Sequence, residues 1–139
     1  MKKRGGKVDY GKERDEAIRA GRRALDSLRV AGNELGRARG WGVFDLLGGG
    51  LISSVVKHSK INNARMLIQQ ARHDLYDFRN ELDDLGDTST ELDISGILTA
   101  FDMICDSWIA DVMVQIKINN AMREVNAAIS RVQDILERL

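Results

Sequence analysis

At 139 residues, with 43% apolar, 5% aromatic and 30% charged side chains, the chain has material for one core and too little for two. It contains no proline, which excludes collagen-like, proline-rich and mucin-like readings and points to long helices. The 21 basic and 21 acidic side chains cancel overall, yet residues 1–39 carry 12 Lys/Arg against 6 Asp/Glu, so the front is basic and the remainder acidic.

In chain order, residues 1–10 read as a basic arm (Lys2, Lys3, Arg4, Lys7) ahead of a single helical domain over 11–139. No apolar run follows the arm, so a cleaved secretion signal is not expected. A first amphipathic helix is predicted over 11–38, with Ile18, Gly21, Leu25, Leu28, Gly32 and Leu35 on one stripe. Arg39-Gly40-Trp41-Gly42 then reads as a tight turn, its glycines able to end a helix in the left-handed conformation. The apolar stretch from Trp41 to Val56 is shorter than the roughly 20 residues a membrane span needs and includes Asp45, which argues against membrane insertion.

A second helix is predicted over 44–86 and a third over 95–139, the last about 65 Å long at 1.5 Å per residue. Gly86 opens the link between them, and Asp93 or Ser95 is placed to cap the third helix. The two long helices share a self-match at an offset of 57: aligning 44–75 with 101–132 gives 10 identities in 32 pairs. Phe44-Asp45 recurs as Phe101-Asp102, and Lys60-Ile61-Asn62-Asn63-Ala64 as Lys117-Ile118-Asn119-Asn120-Ala121. Both copies keep one three–four alternation: Ile61, Ala64, Ile68, Ala71, Leu75, Phe78 and Leu82 against Ile118, Ala121, Val125, Ala128, Val132, Ile135 and Leu139. The expected fold class is therefore all-α: three long antiparallel helices in a coiled-coil-like bundle with a duplicated hairpin motif.

Small and polar residues suggest where helices meet. Gly32 and Gly36 are expected opposite Gly48, Gly49 and Gly50 in close backbone contact, since interior helical glycines cost about 1 kcal/mol each and need a compensating reason. Asn62 and Asn119, beside the seam residues Ile61, Ala64, Ile118 and Ala121, are expected to set register. Asp45, Asp102, Asp106 and Asp111 lie in apolar runs and are candidate buried acids, expected to pair with Arg22, Arg23, Arg29 or Arg37 of the first helix.

No catalytic, cofactor or metal constellation stands out. His58 and His73 are fifteen apart, too far to share one ion, and no Glu-x-x-His spacing exists. The single cysteine, Cys105, cannot form an internal bridge or a four-cysteine zinc site, and it fits a cytoplasmic location.

The segment Gly40-Trp41-Gly42-Val43-Phe44-Asp45-Leu46-Leu47-Gly48-Gly49-Gly50-Leu51-Ile52, followed by Lys57-His58-Ser59 and by Trp108-Ile109-Ala110-Asp111, resembles a group of uncharacterised bacterial helical proteins across residues 40–139. That resemblance implies no known activity. The reading from residues is a non-enzymatic interaction or scaffolding module without cofactor. It self-associates as a homodimer or other homo-oligomer through coiled-coil-like seams, or engages another helical protein. The alternative is a peripheral adaptor that binds an anionic membrane surface or polyanion through Lys2–Lys7 and the face around Arg19, Arg22 and Arg23. Nucleic acid is a poor fit, because the arm lacks aromatic residues for stacking on bases.

Overall fold

The computed structural model describes residues 10–46, 54–86, 92–107 and 115–139, and side chains within 11–36, 63–86, 92–107 and 117–139. The described residues form four helices and no strand: α1 (Tyr10–Leu46), α2 (Ser54–Asp84), α3 (Ser95–Ser107) and α4 (Gln115–Arg138). All-α is thus correct, while the count of three is not. None of these helices is long and apolar enough to cross a membrane.

Two boundaries differ from expectation. Helix α1 runs through Arg39–Gly42 to Leu46 instead of turning there, so Phe44 to Leu46 belong to it and not to the second helix. Two interior glycines weaken a helix by about 1 kcal/mol each without breaking it when the flanking backbone bonds continue. The expected third helix over 95–139 is two helices, α3 and α4, laid against each other. Arg131 near the end of α4 donates from Nε and Nη2 to the carbonyl oxygen of Asp93, just before α3, at 3.3 and 3.2 Å. Lys117 near the start of α4 donates to the carbonyl oxygen of Ser107, at the end of α3, at 3.1 Å. The two segments are therefore antiparallel.

The second link begins as expected. Gly86 adopts φ +75°, a conformation that glycine enters without a Cβ penalty, and its N–H donates to Asp83 O at 3.0 Å. Asp93 Oδ1 then accepts the Ser95 N–H at 2.9 Å and satisfies one of the orphan donors at the start of α3. That hydrogen bond holds the Asp93 carboxyl below the usual carboxylate range, with help from the Ser95 hydroxyl and the charge of Arg131.

Helix α1 packs on α2 and α4, and α3 completes the circuit by packing on the same two. Gly21 marks the close approach: a Cβ there would stand 2.7 Å from Leu136 Cδ2 of α4 and 2.9 Å from Phe78 Cε1 of α2. Around it α1 buries Ala17, Ala20, Ala24, Leu28, Ala31 and Leu35, a stripe rich in alanine that lets the backbones approach. The matched stripes of the two sequence copies are buried position for position, Ala64 with Ala121, Ile68 with Val125, Ala71 with Ala128, Leu75 with Val132 and Phe78 with Ile135. Helix α3 contributes Leu98, Phe101, Ile104 and Cys105 to the same core. Each fully buried Phe or Leu contributes on the order of 2–3 kcal/mol through removal of apolar surface from water.

Candidate functional site

A depression of about 280 Å³ lies along the junction of the end of α3 with the start of α4. Ala100, Met103 and Ile104 give it an apolar wall from α3, while Lys117, Asn120, Arg123 and Glu124 of α4 give it a polar one. Met103 is 67% exposed, as is Met66 on α2; with Val30 at 49% they are the large apolar side chains that reach water among the described residues. A thioether on a flexible stem adapts its shape to a partner at little cost.

Among the residues singled out from sequence, Ala64, Ile118 and Ala121 are buried in the core as expected of seam positions. Asn119 does not join them: it is exposed, and so is Asn120, whose Oδ1 accepts from Arg123 Nη2 at 2.7 Å on the same helix. One residue of helix turns a side chain by about 100°, so a position next to the stripe is already on the solvent shoulder. Gly32 approaches Val125 Cγ1 of α4, 3.4 Å from its would-be Cβ, and Gly36 has no neighbour within 4 Å. No described residue comes close to Gly36, and the partners expected for it, Gly48 to Gly50, lie outside the described residues. Gly48, Gly49, Gly50 and Asp111 lie outside the described residues, as do the side chains of Asp45, His58, Ile61 and Asn62.

The expected burial and α1 pairing of the acids also need correction. Asp106 is exposed. The Asp102 side chain is 42% exposed and turns toward α2, where it accepts from Tyr76 Oη at 2.7 Å and lies 3.4 Å from Arg72 Nη1. Helix α3 packs on α2 and α4, which is why an arginine of α2 reaches Asp102. The hydrogen bond to Asp102 raises the Tyr76 pKa above the usual phenol value, since ionised tyrosine has no proton to donate; Arg79, 4.9 Å from the ring centroid, pulls the other way more weakly. Burial likewise pushes the Cys105 thiol up, the mark of an unreactive core cysteine.

A second polar contact, which no motif announced, ties α1 to α2. Asp74, only 8% exposed, accepts from the Ser27 hydroxyl and from Gln70 Nε2, the latter at 3.1 Å. His73 is exposed, 3.5 Å from Asp74 Oδ1 and 3.6 Å from Asp77 Oδ2. The sequence signal was available: Asp74 sits next to Leu75 on the buried side of the α2 stripe, where an acid requires donors.

No family model, curated protein or solved structure matches the chain at a significant level.

Proposed function

We propose that this chain is a non-enzymatic helical interaction module, a four-helix bundle built from two copies of a helix–link–helix hairpin, which self-associates through the α3–α4 junction. The observation that carries the reading is Met103, two-thirds exposed on the apolar wall of a depression whose other wall is polar. The stripes of α2 and α4 are spent inside the chain, so an interface must use the outer surface. A second copy supplies an occupant of matching chemistry: its α2 carries Met66, as exposed as Met103, and two such flexible apolar side chains can cover one another across an interface between copies. The test is mass in solution by light scattering across micromolar concentrations. A dimer that Met103→Glu converts to a folded monomer supports the proposal, and a monomer at every concentration removes it.

A second reading is favoured by a different observation. Arg14, Arg19, Arg22, Arg23 and Arg29 are all exposed on α1, where they outnumber the exposed acids Asp15 and Asp26, a positive balance suited to an anionic surface. Co-sedimentation with anionic vesicles separates the two. Binding that salt abolishes supports the adaptor, and none at low salt eliminates it.

A further inference from the structure

The first turns of α1 lie beside the last turns of α2, because the two helices run antiparallel. Glu13 and Glu16 are three apart and share one face of α1, and Glu81 meets them from α2. One carboxylate oxygen of each lies within 4.8 Å of those of the other two. Glu13 is 4% exposed, and its Oε2 is buried without a hydrogen-bond partner. Desolvation and like-charge repulsion both act against an ionised carboxylate buried beside two others, and a cation seated where the three converge would relieve both.

We propose that Glu13, Glu16 and Glu81 bind a hard divalent cation of calcium's size. The donors are all carboxylate oxygens, with no imidazole or thiolate among them, a set that suits calcium, magnesium or manganese and disfavours zinc and copper. Coordination preference then discriminates. Mg²⁺ demands near-ideal octahedral geometry and keeps several of its waters, whereas Ca²⁺ accepts irregular sets of carboxylate oxygens, so a trio with one buried member suits the larger ion. Glu16 and Glu81 are half-buried, which leaves water a way to complete the coordination shell, and both keep contacts of their own besides. The other acidic group near a histidine, at Asp74 and Asp77, is accounted for by the Ser27, Gln70 and His73 contacts already described.

The bound ion would pin the open end of the α1–α2 hairpin, away from the link at 47–53. The experiment is calorimetric titration of the EDTA-stripped full chain at neutral pH with CaCl2 and, separately, MgCl2, alongside thermal unfolding with Ca²⁺ and with EDTA. The expected result is saturable one-to-one binding of Ca²⁺, weaker binding of Mg²⁺, and a higher melting temperature with Ca²⁺. Glu13→Gln keeps the shape but removes one charge, so it should weaken Ca²⁺ binding at least about tenfold. The same variant in EDTA should melt no lower than the EDTA-treated wild type, because the repulsion has been relieved. A folded wild-type chain with no saturable heat and no melting shift at millimolar Ca²⁺ overturns the proposal, as does unchanged Ca²⁺ affinity in Glu13→Gln.

Discussion

Replacing Gly21 or Gly36 of α1 by alanine tests how closely the helices approach, because the two positions share a helix and differ in their neighbours. Any interior helical glycine changed to alanine gains about 1 kcal/mol in backbone propensity. At Gly36 the new Cβ meets none of the described residues within 4 Å, so Gly36→Ala should keep that gain. At Gly21 it would stand 2.7 Å from Leu136 Cδ2 and 2.9 and 3.0 Å from Phe78 Cε1 and Cζ. Ordinary carbon contacts are about 3.5–4.0 Å, so neighbours must yield by more than half an ångström. Leu136 is half-buried and can rotate, but Phe78 is fully enclosed and cannot. Overpacking of this kind costs about 1–3 kcal/mol, which outweighs the propensity gain and leaves a net loss of about 1 kcal/mol. Urea and thermal unfolding followed by circular dichroism at 222 nm would read that as a melting temperature lower by about 3–5 °C for Gly21→Ala and a few degrees higher for Gly36→Ala. Equal stabilisation of both variants would refute the close approach at Gly21.

Two further outcomes follow from the polar contacts. The bond from Tyr76 to Asp102 stabilises the fold while the phenol is protonated; its contribution is present below the ordinary tyrosine pKa near 10 and is lost as pH rises through the higher folded value. In a Tyr10→Phe variant, which leaves Tyr76 as the sole tyrosine, absorbance at 295 nm should titrate at higher pH folded than in urea, and Asp102→Ala should reduce the difference. Asp74→Ala removes the acceptor of both Ser27 and Gln70 and should cost about 1–3 kcal/mol in urea unfolding, whereas a change within experimental error would mean that the contact is not made in solution.

The periodicity made much of this architecture legible. The buried positions Ala64 to Leu82 and Ile118 to Ile135 fall where the three–four alternation placed them, because apolar spacing reports directly on which side of a helix meets the core. Gly86 and Asp93 were legible through local backbone chemistry. The fold-back between α3 and α4 was harder, for no glycine or proline occurs between Gly96 and Leu139 to announce it. The phase of the stripe did carry a trace: continuing from Phe101 and Cys105 leads to 108, 112, 115 and 119, one step out of register with the buried Ile118, Ala121 and Val125. Glycines at 40 and 42 misled in the opposite sense, suggesting a stop inside a continuing helix. Partner choice was the least legible feature. Asp102 pairs with Tyr76 and Arg72 because of which helices adjoin, and Glu13, Glu16 and Glu81 converge through the pairing of α1 with α2; neither follows from spacing along one segment.

The niche at Gly21 joins parts of the chain made at very different times during synthesis. Its walls are Phe78 and Leu136, and the latter lies more than a hundred residues downstream of the glycine. A nascent polypeptide that has emerged only through α2 can form a two-helix hairpin, but the part of the α1 stripe that meets α4 stays uncovered until α4 arrives. The niche at Gly21 is accordingly closed on one side by an early neighbour, Phe78, and on the other by a late one, Leu136.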